Sequence, residues 1–480
     1  MRLSWFAISI FFASATANGQ SLKESLDAIV VKPGAQLRSA SIGVSVFDLN
    51  QGTEIYSHNG GSRLRAASNA KILTLAAAFN LLGPSFRYQT RIYADQPDDD
   101  GVLKGNLYIR GRGDPILGAE HVYDLARQIA RRGIKKVTGG IVVDNNYFDG
   151  VDLPPHYDEQ PNERAGFRAP IGATSFNFNT LSVWVSPGRK EGARARVFLD
   201  PRSDFISVKN EVITRKRGRN RISIDFSAKG QGVLVTVTGQ IRAKSSMKRW
   251  RFRVENPAQY MGGTFRKALR EQGVRVTRKQ IRLGVVPANA TPLLSHTSST
   301  LTEIATGAGK YSNNFMAEML LKTIGAEANK GAPSTWQQSL STVHAFLEQQ
   351  IGFQPGSYKY ENGSGLFSSS ELTPRQLAKT LAFAAKRPRW APEFKASLAV
   401  AGVDGTLAGR MNKTPAQGLV RAKTGTLNGV SALSGYADVG KKRVAFSILV
   451  NGFPSKATGR ARALQDRIAV ALVRYLQQGS

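Results

Sequence analysis

Cysteine is missing altogether from this 480-residue chain. Its absence removes disulfides, thiol nucleophiles and thiolate metal sites together. Histidine is scarce: His58, His121, His156, His296 and His344 are scattered without metal-ligand spacing, which argues against a zinc hydrolase. Acidic residues are also few, 34 against 66 Lys and Arg, leaving a net charge of +32. Such an excess suits nucleic acid, anionic lipid or an acidic polymer, and an ordinary solvated surface accounts for it equally well. After the first residues no apolar run is long enough to span a bilayer. Repeats, low-complexity tracts and long linkers are absent too. What remains is globular composition, 41% hydrophobic and 21% charged, at a length that predicts two or three domains.

The start of the chain has its own logic. Arg2 precedes a short apolar run from Trp5 to Phe12, and Ala15-Thr16-Ala17 supplies the small-x-small pattern that a signal peptidase reads. Cleavage after Ala17 is expected, giving an exported mature protein. Export makes nucleic acid the poorest of the anionic partners.

Three textures follow. Ser41 to Val46 alternates, turns at Asn50-Gln51-Gly52 and returns through Thr53 to Tyr56, a β-hairpin signature. Ser68 then opens a helical run, Ile72 to Leu82, stopped by Gly83-Pro84. From about Tyr88 to Pro287 come short strands and turns, including Leu107–Arg110, Gly140–Asp144 and Gly232–Gly239. Arg202 to Val254 carries 14 Lys and Arg but three Asp and Glu. After Leu301 the first texture returns. Ser312 is expected to start a helix through Phe315, Met319 and Leu320, with Glu318 in its second turn. Strands are expected at Gly418–Ala422, Ser431–Ala437 and Val444–Val450. A closing amphipathic helix carries Leu464, Ile468, Leu472 and Leu476 and is read as core, not as a membrane anchor.

The chemistry lies in three separated segments: Ser68-Asn69-Ala70-Lys71, Ser312-Asn313-Asn314 and Lys423-Thr424-Gly425-Thr426. Residues three apart on a helix share a face, so Lys71 can reach Ser68. The helix N-terminus favours a developing oxyanion near the Ser68 N–H. Burial, that same field and a second cation at Lys423 should lower the pKa of Lys71 until it can accept the serine proton. Taken alone, the pair reads better as a helix cap with a solvated lysine. Ser-x-x-Lys recurs at Ser245–Lys248, and Ser-x-Asn at Ser57–Asn59 and Ser175–Asn177; of these serines, only Ser68 and Ser312 open an amphipathic run. Lys423 to Thr426 reads as a strand at a cleft rim, with glycine sparing room for substrate backbone. Lys423 and the Thr424 and Thr426 hydroxyls can hold a carboxylate, and the Thr426 N–H can serve as the second oxyanion donor. Together these are the parts for attacking an amide without histidine.

The chain resembles the low-molecular-mass class C penicillin-binding proteins, the periplasmic D-alanyl-D-alanine carboxypeptidase/endopeptidases. The likeness runs through Phe47-Asp48-Leu49, Ser68–Lys71, Tyr311–Asn314 with Ala317-Glu318, Gly363-Ser364-Gly365-Leu366, Thr373-Pro374, Gly402–Leu407 and Lys423–Leu427. The 244 residues separating Ser68 from Ser312 imply the large insertion of that family, which Gly111–Pro115 and Ser175-Phe176-Asn177 also resemble. The resemblance implies an α/β fold: a serine β-lactamase/penicillin-binding-protein-like catalytic domain with an inserted region of two smaller, mostly β domains. Expected boundaries are 18–88 and 288–480 for the catalytic domain, 89–186 and 256–287 for the first inserted domain, and 187–255 for the nested one.

By the same resemblance Ser68 is the acylated nucleophile and Lys71 its base. Ser312 and Asn314 are the relay and the amide that holds substrate or Lys71, while Lys423, Thr424, Gly425 and Thr426 form the carboxylate clamp and oxyanion edge. Peptidoglycan peptides and β-lactams are the implied partners, with anionic cell-wall polymer or a membrane surface as further candidates; no cofactor or metal is implied. Asn362 stands where the family often has an acid, and Asp158 and Glu163 are the candidates for reading a substrate amine. A β-lactamase and a non-catalytic wall-binding protein on the same scaffold are the rivals. Arg112-Gly113-Asp114 reads as a tight turn with Pro115, Gly111-x-Gly113 lacks the rest of a dinucleotide loop, and Asp144 to Gly150 has Phe148 at a calcium-ligand position.

Overall fold

The computed structural model describes residues 21–94, 100–161, 163–330, 333–367 and 370–478. The expected signal segment, residues 1–17, lies outside the described residues.

A six-stranded antiparallel sheet organises the catalytic part. Its order is 54–58, 41–48, 442–451, 430–439, 420–427 and 399–400. The N-terminal hairpin therefore pairs with the strand latest in sequence, in the register Val44 to Ile448 and Val46 to Phe446. That pairing brings the two ends of the described chain into one sheet. Both faces of the sheet are covered, so its central strands read as almost continuous apolar runs: Phe446, Ile448, Leu449 and Val450 are all fully buried. Helices Leu22–Val30 and Thr458–Gln478 pack on one face. Leu464, Ile468, Leu472 and Leu476 of the second are buried there, as the pattern predicts. No helix among the described residues is long and apolar enough to cross a membrane.

The other face carries helices Ala70–Leu81, Asn314–Ala328 and Pro374–Ala385. Every residue of the first from Ala70 to Phe79 is buried, as expected of a helix apolar on all sides. Lys71 and Thr74 are its polar exceptions, and both find oxygen partners. Ser312 departs from expectation. The helix begins at Asn314, with the Asn313 side chain accepting from the Met316 N–H as its cap. Ser312 sits in the turn before it at φ 58°, a left-handed conformation that turns it out of the helical run.

The insertion leaves and rejoins this body through two neighbouring antiparallel strands, 89–94 and 291–297, with Gln89 opposite Thr297. They belong to a five-stranded sheet ordered 281–283, 141–144, 107–110, 89–94 and 291–297, accompanied by helices Ala119–Arg131 and Pro257–Glu271. Beyond it, strand 180–186 pairs with both 196–200 and 248–253, so the nested sheet structure starts upstream of position 187. A further sheet is built on 232–242, flanked by 206–210, 213–215 and 221–229. Strand 221–229 alternates as a one-sided sheet should: Ile222, Ile224 and Phe226 face inward, while the polar positions between them stay exposed. Ser175 is not in a strand. It lies in a turn where its hydroxyl accepts from the Gly172 N–H and the Asn179 amide.

Candidate active site

Ser68 occupies a short 3-10 turn, Ala67–Asn69, that runs directly into the buried helix. Ala67 takes φ 48°, a strained position for a residue with a side chain. The turn is clamped from three sides. Asn69 donates to Ser434 Oγ at 2.7 Å, and Ser434 to Ser447 at 2.8 Å, a buried hydroxyl ladder across the sheet. A side chain on Gly365 would collide with the Ala67 carbonyl oxygen at 2.0 Å. One on Gly425 would meet Ala66 O at 3.0 Å and Ala67 Cβ at 3.1 Å. Gly425 thus makes room for the serine turn, a constraint that the sequence did not disclose.

Lys71 is fully buried. Its amine lies 3.0 Å from Ser68 Oγ, 2.8 Å from Asn314 Oδ1 and 2.8 Å from the Ser364 carbonyl. These three neutral acceptors fix the nitrogen without a carboxylate in contact. Burial pulls the amine down to about 7, and the charge of Glu318 partly opposes the shift. Lys423 is equally buried. It donates to Ser312 Oγ at 2.8 Å and to the Thr424 carbonyl at 2.7 Å. Burial, with the charge of Lys71 added, holds it well below the ordinary lysine value. Desolvation, one of the causes expected from the sequence, is the largest for both amines.

The strand bearing Lys423 pairs on its outer side only at Arg421 and Ala422, with 399–400. From Lys423 onward, among the described residues, that edge has no strand partner. An unpaired strand edge of this kind can pair with an extended peptide. Thr424 Oγ1 donates to Thr406 Oγ1 at 2.8 Å, and Thr426 is exposed. Direct contacts thus gather Ser68 and Asn314 on Lys71, and Ser312 on Lys423; the two lysines are near enough for the charge of Lys71 to act on Lys423, and Thr424, Gly425 and Thr426 follow along the strand.

Supporting groups to which sequence reasoning assigned no role surround this centre. Glu318 is fully buried and accepts from the Gly363 and Ser364 N–H groups, both at 2.8 Å. Those bonds hold in place the carbonyl that Lys71 touches. Burial raises the Glu318 carboxyl, against these hydrogen bonds and Lys71. Asn362, in place of an acid, accepts from the Gly365 N–H at 2.8 Å and donates to the Pro155 carbonyl at 3.2 Å. It ties the same turn to the insertion. Tyr157 reaches Ser364 Oγ at 3.1 Å, and Asn314 donates to the Phe167 carbonyl at 3.2 Å. Residues 154–161 and 163–168 are therefore one wall of the crevice at Lys71. On it, Glu163 accepts from its own neighbour Ala165 N–H, and Asp158 is exposed. Arg462, from the first turns of the closing helix, donates to Thr426 Oγ1 at 3.3 Å. No motif flagged it, because only the fold sets that helix beside the strand. Among the described residues no group of three His, Asp or Glu assembles for a metal.

A half-buried serine on a fully buried lysine, a second buried lysine on a hydroxyl and an open strand edge define the class of serine–lysine acyl-transfer folds. Solved relatives share that fold. Penicillin binding protein 4 (dacB) from Haemophilus influenzae matches with a TM-score of 0.77, covering 94% of this chain and 99% of that one at 24% identity. A predatory endopeptidase of Bdellovibrio bacteriovorus, solved acylated by penicillin G, matches at 0.50, covering 92% and 93% at 15% identity. Residues 22–474 match the D-Ala-D-Ala carboxypeptidase 3 (S13) family, and the chain belongs to it. A D-alanyl-D-alanine carboxypeptidase from Actinomadura sp. (strain R39) is 36% identical across 96% of this chain and 87% of its own length.

Proposed function

We propose that this protein is an exported serine peptidase that cuts D-alanyl-D-alanine peptides of peptidoglycan, and their cross-links, through an acyl-enzyme at Ser68. Lys71 removes the Ser68 proton as the oxygen attacks the carbonyl of the penultimate D-alanine. The N–H groups of Ser68 and Thr426 stabilise the oxyanion. Lys423 keeps Ser312 oriented to pass a proton to the departing amine, either free D-alanine or the amine of a cross-linked stem. Water then hydrolyses the ester. Thr424, Thr426 and the Arg462 guanidinium receive the substrate's terminal carboxylate. β-Lactams offer the same strained amide with a leaving group that stays tethered, so they acylate Ser68 and persist. The apolar run Trp5 to Phe12 with Ala15-Thr16-Ala17 supports export to the periplasm, and the paired strands 89–94 and 291–297 support a catalytic domain interrupted by an insertion.

One observation carries the reading. Lys71 is a fully buried amine 3.0 Å from Ser68 Oγ, pulled down to about 7, which suits a general base at neutral pH. Fluorescent penicillin should label the wild-type protein covalently and leave Ser68→Ala unlabelled. D-Alanine should be released from a soluble pentapeptide by the wild type alone. Undiminished labelling of Ser68→Ala would overturn the assignment, and rapid nitrocefin turnover would favour a β-lactamase.

A further inference from the structure

The inserted region contains a groove that the peptidase chemistry does not use. It opens where helix Pro257–Glu271 meets the nested sheet on one side and strands 275–276 and 281–283 on the other. Two cavities of about 290 Å³ and 460 Å³ adjoin there, sharing Asp204, Arg266 and Lys279 as walls. Lys229 lines the first, and Arg270 and Arg275 the second. Five cations therefore face one carboxylate. That carboxylate is already committed: Asp204 accepts from Arg266 Nε at 2.9 Å and from Arg270 Nη2 at 2.7 Å. No acidic side chain pairs with Lys229, Arg275 or Lys279 among the described residues. Arg266 Nη1 is buried and has no acceptor at all.

An orphaned guanidinium donor in a basic cleft is costly unless an acceptor arrives from outside. Placing several unpaired cations along one cleft raises the local positive potential further. Cavities of this size admit a ligand or chain segment but not a folded partner. We propose that this groove binds a carboxylate-bearing stretch of the wall polymer itself, as an exosite that holds the sacculus while the crevice cuts. The polymer's identity rests on the proposed function, since stem peptides carry carboxylates at regular intervals along the polymer. Arg270, held by Asp204 yet exposed in the groove, makes the first charge-assisted contact, and the unpaired Arg266 donor lies behind it for a carboxylate that enters the floor. Lys229, Arg275 and Lys279, all exposed, supply the flanking field.

The test is cosedimentation of the full chain, in a Ser68→Ala background, with purified sacculi. Combined Lys229→Gln, Arg275→Gln and Lys279→Gln should lower binding at least about fivefold, an effect that exceeds what one surface contact supplies. A control removing the same charge elsewhere, Lys386→Gln, Arg389→Gln and Lys441→Gln, should change it less than about twofold by general screening alone. Amidating the sacculus carboxylates should erase the difference between the two. With Ser68 intact, the groove variant should release D-alanine from soluble pentapeptide at the wild-type rate. Equal losses in groove and control variants would reduce the site to net charge and overturn the proposal. So would amidated sacculi that still bind while inorganic polyphosphate competes, because the ligand would then be a phosphate polymer. Failure of pentapeptide hydrolysis in the wild type would instead strike the peptidase reading, whatever sacculi do.

Discussion

Positive charge is used in opposite ways in the two parts of this molecule. In the crevice, Lys71 and Lys423 are fully buried, held by hydroxyl, amide and carbonyl oxygens, and both are displaced from the ordinary lysine value. In the insertion, Lys229, Arg275 and Lys279 stand in water. The same residue type thus yields a base in one place and an attractive field in the other, and burial makes the difference. An amine wholly removed from water is held below its ordinary value and can take part in chemistry; one left in solvent acts at a distance.

The sharpest way to break this comparison is to remove the buried base. Lys71→Met should slow acylation of Ser68 by penicillin about 10³-fold, within the range of lost general-base catalysis. Single-turnover labelling measures it, and a loss under tenfold would move the base elsewhere. Next in size is the effect of Glu318→Gln. Its charge raises the Lys71 pKa, so removing it should shift the acid limb of acylation to lower pH. An unmoved limb would show that the carboxyl is already neutral, in keeping with its raised pKa. Smallest is Arg462→Ala. Its guanidinium is solvent-exposed beside Thr426, so its loss should lower kcat/KM on a free-carboxylate substrate about fivefold, near 1 kcal/mol. A C-terminal amide analogue should lose nothing; an equal loss on both would leave Arg462 only a structural role.

What the sequence disclosed and what it hid follow from physical range. The hairpin, the buried helix and the last strands were legible because their apolar periods are local. Ser68, Lys71, Asn314 and Lys423 were legible because the chemistry demands those types at short spacings. Ser312 was found, but its turn was taken for a helix start, since nothing local distinguishes a cap at Asn313 from one at Ser312. Glu318, Tyr157 and Arg462 act through contacts with residues 36 or more positions away, and no window of sequence holds both partners. At Gly425 a second constraint is hidden from the sequence, because its crowding comes from Ala66 and Ala67, which only the folded chain sets beside it.

The central claim is that an unprotonated Lys71 activates Ser68 at neutral pH. The pH dependence of the second-order rate constant for Ser68 acylation by penicillin tests it most directly. The account predicts an acid limb with an apparent pKa of about 7, absent in Lys71→Met. A rate flat through neutrality, or a limb near the ordinary lysine value, would contradict it.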